Sequence, residues 1–435
     1  MKKFIFAAAV VLTSLSVQSQ SIGVELSRFG GKKYNYLGVQ GQKIDTMASG
    51  TLDKSGKTTL VFKGRFKGYK GLSHILFEDG AGLDILVNKE NFSLKCTEEQ
   101  LNAQTVRFTN SPENEYFTSQ LLKKQALMGK QQIAAAVLQT YTANDAVYAP
   151  FVKEKQQLNE QYKTIVNANA QSTLYAARMI EIYDFLSGAS TDPDGTEAQK
   201  LTEANNFVPS KVAIDILYTS NQWQNVLSGW LNLQLQQKKS EEQLLADLKQ
   251  TGDRITNKQQ FTDFSDFMVR EISKTAKDEL VHSFGSYVAQ SGKVEKPGHY
   301  LLAAMGGPQT GMAAPDVIAD NGNYAFNKKQ KTILVLYESG CNNCDNEMNT
   351  LIGNYKVLQS LGYEVVSVTS DMDKETSEKS RARFPWSNKF CDYKGTIGVN
   401  FTTFGVIGTP TIFVIDEKGI ITGRFAQVTE AHILN

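Results

Sequence analysis

The unbroken apolar run Ile333-Leu334-Val335-Leu336-Tyr337 leads almost directly into Cys341-Asn342-Asn343-Cys344. A run with no polar alternation predicts a strand covered on both faces, and such strands belong to layered α/β folds. A helix is expected from about Cys341 to Leu361, so both cysteines fall in its first turn. That spacing brings two sulfurs onto one side of the helix, within reach of a disulfide. Free N–H groups and the positive end of the helix dipole gather at the same place. A thiolate is the attacking species in thiol–disulfide exchange, and a second cysteine nearby can release the mixed disulfide. Cys-x-x-Cys also occurs in zinc sites, usually with a second ligand pair. No second such motif exists, and none of His74, His282, His299 or His432 lies beside this one. Redox exchange is the expected chemistry; a structural disulfide or a metal site is the alternative.

The flanking sequence continues the α/β pattern. Val317-Ile318-Ala319 and Tyr324-Ala325-Phe326, around Asp320-Asn321-Gly322-Asn323, predict a hairpin. A strand is expected over Glu364 to Thr369, then a polar helix around Met372 to Arg383. Ile412 to Ile415 and Ile420-Ile421 predict a second hairpin across Asp416-Glu417-Lys418-Gly419. Cys391 is expected in or near a strand on the far side of the sheet, either a packed core residue or a third redox cysteine.

The chain has 435 residues, too many for one ordinary core. From about Ile22 to Phe108 short apolar or alternating runs are separated by turn signals such as Asp53-Lys54-Ser55-Gly56 and Asp79-Gly80. They predict a small antiparallel sandwich or barrel, with Cys96 packed beside Phe92 and Leu94. Ser111-Pro112 then opens a helical stretch, with Ser111 as N-cap and Pro112 at the first helical position. Phe151, Leu158, Tyr162 and Ile165 share one face, as do Trp223, Val226, Leu227 and Trp230, and Phe261, Phe264, Met268 and Ile272. These stripes read as a helix-bundle core rather than a ligand groove. The predicted organisation is a β-sandwich domain over 20–110, a helical domain over 111–291, a linker over 292–311 and an α/β domain over 312–435.

Residues 1–19 carry Lys2 and Lys3, an apolar run from Phe4 to Leu12, and small residues Val17 and Ser19. This is the pattern of a cleavable secretory signal peptide, cut before Gln20. The run is too short to span a bilayer, and no later segment is apolar enough to do so. A retained anchor or a structural N-terminal helix is the other reading of these residues. Export places the four cysteines where disulfides persist. Lys+Arg number 46 against 45 Asp+Glu, so no basic surplus supports a nucleic-acid partner.

Gly311-Met312-Ala313-Ala314-Pro315-Asp316, the strand into Cys341-x-x-Cys344, Glu347-Met348, and Gly408-Thr409-Pro410-Thr411-Ile412-Phe413-Val414-Ile415-Asp416 together resemble the TlpA/ResA-like thioredoxin domain. The resemblance covers about Gly306 to Asn435. It implies a thioredoxin-like fold in which Pro410 is cis and packs against the dithiol. It also implies that the backbone of Thr409 pairs with an incoming peptide. By the same resemblance Glu347 is the acid that handles protons at the dithiol; an exposed helix charge is its other reading. Two departures stand out. Tyr337-Glu338-Ser339-Gly340 replaces the family's tryptophan-rich approach, and Asn343 stands where proline is common. More loosely, Leu52-Asp53-x-x-Gly56 and Asn110-Ser111-Pro112 resemble exported thioredoxin-like proteins of the Bacteroidetes type. Those proteins place a β-domain and helices before the redox domain.

The resemblance implies a periplasmic thiol–disulfide oxidoreductase, a reductase or isomerase of protein disulfides. Its catalytic residues would be Cys341, Cys344 and Glu347, with Thr409 and Pro410 binding substrate. It implies no cofactor beyond the redox-active disulfide Cys341–Cys344 and no metal. The implied partners are disulfide or dithiol proteins of the cell envelope and a membrane electron donor. The competing expectation is an envelope ligand- or protein-binding module whose Cys341–Cys344 bond is structural.

Overall fold

The protein is described from a computed structural model over residues 20–275, 277–318, 323–326 and 329–434. The expected signal peptide, and residues 319–322 of the first expected hairpin, lie outside the described residues. The chain divides into two compact units, one of residues 1–197 and 215–224, the other of 198–214 and 225–435.

In the first unit eight strands form two sheets: β1 (Ser21–Leu26), β2 (Lys33–Gln40), β3 (Lys43–Thr51), β4 (Lys57–Val61), β5 (Lys70–Phe77), β6 (Gly82–Asn88), β7 (Phe92–Cys96) and β8 (Arg107–Thr109). Their orders are β4-β1-β7-β8 and β3-β2-β5-β6. Alternate residues point inward, so Ile22, Val24 and Leu94 meet Tyr36, Ile75 and Ile85 in one core. This is the expected sandwich with one difference: β1 and β7 pair in parallel, and the other pairs are antiparallel. The Asp53–Gly56 signal has a physical cause. The Asp53 carboxylate accepts from the backbone N–H of Ser55 (2.8 Å) and Lys57 (2.9 Å). Gly56 lies at φ +79°, where a Cβ would stand 2.0 Å from the Leu26 carbonyl oxygen.

The long helices of this unit are α1 (Pro112–Thr140), α2 (Tyr148–Gln171) and α3 (Tyr175–Leu186). Ser111 is the N-cap residue and Pro112 opens α1, but the Ser111 hydroxyl accepts from the Asn114 amide (2.8 Å), not from a backbone N–H. Asn114 also bonds both backbone groups of Leu86 on edge strand β6, at 2.8 and 2.7 Å. Glu113, buried, accepts from the N–H groups of Tyr175 (3.2 Å) and Ala176 (2.8 Å), so its carboxylate caps α3.

The chain continues through α4 (Glu197–Asn205), α5 (Ile214–Tyr218), α6 (Trp223–Gln236), α7 (Glu241–Arg254), α8 (Lys258–Ile272), α9 (Asp278–Gln290) and α10 (His299–Gly306). All four residues of the Trp223 stripe and all four of the Phe261 stripe are buried, as expected of a core. The segment 292–311 departs from the expected linker. It contains α10, whose Leu301 and Ala304 are fully buried. Pro297-Gly298 and Gly306-Gly307-Pro308 are helix punctuation around an apolar octet, not a tether.

The α/β layer follows in the second unit: β9 (Lys331–Tyr337), α11 (Asn342–Ser360), β10 (Tyr363–Thr369), α12 (Lys374–Ala382), β11 (Asn388–Cys391), α13 (Val399–Thr403), β12 (Thr411–Ile415) and β13 (Ile421–Phe425). The sheet order is β11-β10-β9-β12-β13. β9, β10 and β11 run parallel, β12 pairs antiparallel to β9, and β13 pairs antiparallel to β12. β9 is central, which explains its composition: Leu334 and Leu336 enter one core, and Ile333, Val335 and Tyr337 enter the other. Before β9, Val317 and Tyr324 exchange backbone hydrogen bonds of 2.9 and 2.8 Å, a single antiparallel bridge. The molecule thus combines an N-terminal all-β sandwich, a central helical region and a C-terminal thioredoxin-like α/β fold. No helix among the described residues is long and apolar enough to cross a membrane.

Candidate functional site

The central strand β9 ends at Tyr337, and Glu338-Ser339-Gly340 turn the chain into α11. Gly340 takes φ +78° in this turn. The turn is held from the neighbouring strand's end: buried Asp371 accepts from Ser339 N (3.3 Å) and Ser339 Oγ (2.6 Å). Cys341 is therefore delivered to the N-cap of α11, in extended conformation, beside the free N–H groups of the first turn.

The two cysteines differ in surroundings. Cys341 is partly exposed, and Cys344 is buried. Burial pushes the Cys344 thiol up to about 12, and hydrogen bonds from the Glu338 backbone and the Thr409 hydroxyl only partly offset it. Cys341, hydrogen-bonded to Cys344, adds to the upward push. Both sulfurs thus belong to one cluster, with the inner one held as a neutral thiol.

The loop before β12 supplies the opposite side. Thr411 Oγ1 donates to Gly408 O (2.8 Å), and the Thr409–Pro410 peptide bond is cis. Thr409 and Pro410 line a groove of about 330 Å³ together with Asn343, Asn346 and Glu347 of α11. Glu347 is partly buried, and its Oε2 accepts from Val428 N (2.8 Å). The five residues singled out in the sequence, Cys341, Cys344, Glu347, Thr409 and Pro410, therefore meet at one edge of the sheet. Among the described residues no group of three or more His, Cys, Asp or Glu side chains could hold a metal ion.

Cys391 ends edge strand β11, with its sulfur donating to Asp371 O (3.3 Å) and accepting from Tyr393 N (3.4 Å). Cys96 ends β7, buried, with its sulfur facing the carbonyl oxygens of Glu98 (3.7 Å) and Gln100 (3.8 Å). Sequence reasoning missed Asp371, and it missed the groove wall formed by Ser273, Lys274, Thr275 and Asp278. Asp371 had a usable signal: it follows a buried parallel strand at the carboxyl edge of the sheet, where α/β folds place their sites. The wall had none, because its partners are distant in sequence.

Residues 311–424 match the model of the AhpC/TSA family, and this region has the thioredoxin-like fold. A thioredoxin-like protein from Bacteroides caccae is 15% identical over 55% of this chain and 92% of its own, with a TM-score of 0.38. The thioredoxin domain of a thiol-disulfide oxidoreductase from Bacteroides vulgatus is 22% identical, covering 29% of this chain and 99% of its own (TM-score 0.26). A thiol-disulfide oxidoreductase from Bacteroides fragilis is 16% identical, covering 28% and 97% (TM-score 0.25). Among curated proteins none matches the chain.

Proposed function

We propose that the protein is an exported, periplasmic thiol–disulfide oxidoreductase of the TlpA/ResA-like kind, a reductase or isomerase of protein disulfides. One observation carries the reading: a partly exposed Cys341 stands at the N-cap position of α11 and is hydrogen-bonded to a buried, neutral Cys344 beside Thr409 and Pro410. The asymmetry suits the two halves of exchange. The Cys341 thiolate attacks one sulfur of a substrate disulfide; a Cys341–substrate bond forms, and the other substrate sulfur leaves as a thiol. Cys344 then loses its proton and attacks Cys341 Sγ, releasing the second substrate thiol and leaving the Cys341–Cys344 disulfide. Two electrons pass to the substrate; one proton comes from Cys344, and the other comes from solvent, which took it up when the Cys341 thiolate formed.

Burial holds Cys344 neutral while substrate binds, so the second step needs an acceptor for its proton. Glu347 is the acceptor in this proposal; its support is its place on the same groove as Thr409 and Pro410. The Thr409 backbone pairs with the substrate chain in the manner of an added strand. The substrates are disulfide or dithiol proteins of the envelope, and a membrane electron donor returns the pair to the dithiol state. Equilibration of the Cys341/Cys344 pair against glutathione tests the proposal. A poise of roughly −120 to −270 mV is expected; a value below about −300 mV would assign the pair a structural bond and overturn catalysis.

A further inference from the structure

The groove beside Pro410 is built from two sources. One side is α11 and the Thr409–Pro410 loop; the other is the connection between α8 and α9, through Ser273, Lys274, Thr275 and Asp278. Its far end, at Asp278, is tied to the sheet. Asp278, the first residue of α9, faces Arg424 Nε of β13 at 3.5 Å. The Arg424 side chain is only 3% exposed and donates to the carbonyl oxygens of Phe404 and Gly405, both at 3.0 Å. It also lies over the Phe413 ring, 4.8 Å from its centre.

The backbones themselves touch. A Cβ on Gly285 of α9 would stand 2.3 Å from the Ala304 carbonyl oxygen of α10. Gly405, at φ +59°, leaves room only for a hydrogen: a Cβ there would stand 2.5 Å from both Gly307 Cα and Ala303 O. Helices α9 and α10 are thus seated on the thioredoxin-like layer, and Ser273, Lys274, Thr275 and Asp278 form the second wall of the groove.

The wall changes what the groove can accept. At about 330 Å³ it is near the lower end of ligand sites, roughly 300–1,000 Å³. Its facing sides carry hydroxyls (Ser273, Thr275, Thr409) and amides (Asn343, Asn346, Gln427). These donors and acceptors, with the charged Lys274, Asp278 and Glu347 beside them, stand on two opposed sides and suit the main chain of an extended peptide, whose N–H and C=O groups alternate outward. We infer that the helical region is part of the substrate site, and that its α8–α9 connection restricts the groove to a single extended cysteine-bearing segment of polypeptide. A cysteine held on the surface of a folded domain is excluded by the second wall. This inference rests on the thiol–disulfide reading.

The test uses the full chain carrying Cys344→Ser, so that the first step stops at the mixed disulfide. The probes are an unstructured peptide with one cysteine, and 2-mercaptoethanol, each capped by the same thionitrobenzoate. Cys341 attacks the peptide or mercaptoethanol sulfur, a new S–S bond forms, and the coloured thiolate leaves with the electron pair of the broken bond. Ser273→Trp, which fills the groove from the helical side, should lower the peptide-to-mercaptoethanol rate ratio at least about tenfold. The same capped cysteine on a folded domain should react at least about tenfold more slowly than the peptide with Ser273 in place. An unmoved ratio in Ser273→Trp, or equal rates for folded and unstructured carriers, overturns the wall and leaves the redox reading standing. If Cys341 reacts with neither probe, the redox reading itself falls, and the wall with it.

Discussion

The sandwich and the thioredoxin-like layer each place a cysteine where a strand ends, and the two ends are chemically opposite. At the end of β7, Cys96 is buried and its sulfur faces the carbonyl oxygens of Glu98 and Gln100. Carbonyl oxygens accept the S–H proton. Beyond β9 the chain turns instead into a helix, and Cys341 stands among N–H groups that have no intrahelical partner. Donors suit an anion. Strand ends are common to both folds; the backbone groups just beyond the strand differ, acceptors around Cys96 and free donors around Cys341.

The first way to break this comparison is to remove the sulfurs. Cys341→Ser should reduce disulfide exchange to the uncatalysed background, and Cys96→Ala should leave it within about twofold, because Cys96 packs only inside the sandwich core. Turnover of a disulfide-bearing peptide with a thiol reductant decides it. Retained turnover in Cys341→Ser would move the chemistry elsewhere.

Charge shows the same contrast between the regions. In the sandwich, Lys95 pairs with Glu25 at 2.8 Å, with Lys95 exposed and Glu25 partly so. Arg424 in the α/β layer is buried, with burial lowering its affinity for a proton toward about 10 and Asp278 acting against that. Arg424→Ala strands Asp278 and two carbonyl oxygens, and should cost about 3 kcal/mol. Lys95→Ala should fall within the error of the measurement. Urea unfolding followed by circular dichroism checks both. A loss below about 1 kcal/mol for Arg424→Ala would mean that water reaches the stranded groups.

Much of the α/β layer was legible in the sequence because its signals are local. The apolar run of β9, the cysteine pair one turn apart and Thr409-Pro410 each report a backbone requirement within a few residues. The sandwich was legible as a class only. Edge strand β3 carries little apolar alternation and is held by pairing with β2, so its pattern is faint. The α10 segment was misread because Gly298, Gly306 and Gly307 mark loops as readily as helix ends. Its packing is non-local: Gly307 meets Gly405, and Arg424 finds Asp278 146 residues away. Such pairs leave no periodicity in the chain.

A smaller effect separates the two cysteines of the motif. In the folded, reduced protein Cys344 holds its proton up to about 12, whereas an unfolded cysteine releases it near 8.5. The folded state therefore binds more protons between those values. The stability Cys344 contributes is complete below about pH 8.5 and declines as pH rises toward 12. In a Cys341→Ser background, the urea midpoint should fall more steeply between pH 8.5 and 10.5 than in the same protein carrying Cys344→Ala. Equal slopes would show that the Cys344 thiol is reached by water.

The smallest expected effect concerns the two cysteines outside the motif. Burial raises the Cys391 thiol above its usual range, with Ser377 and the Tyr393 N–H opposing that rise. Its S–H points at the Asp371 carbonyl oxygen, so the proton is engaged and the sulfur has no open approach. Cys96 sits in the sandwich core among Phe92 and Leu94. With Cys341 and Cys344 oxidised, a native thiol count should find none within minutes, and denaturation should release two. Cys391→Ala removes one buried sulfur and one weak hydrogen bond, a loss of about 1 kcal/mol with no change in exchange rate. Asp371 makes the result informative, because it holds both the Cys391 S–H and the Ser339 turn that delivers Cys341. If Cys391→Ala slows exchange while Cys341 still labels normally, Cys391 takes part in the redox cycle as a third thiol. If it slows exchange and Cys341 labelling together, Cys391 acts through Asp371 on the turn. An unchanged rate with two thiols appearing only on denaturation leaves it a packed core residue, and the line between attacking and inert sulfurs then runs through the α/β layer itself.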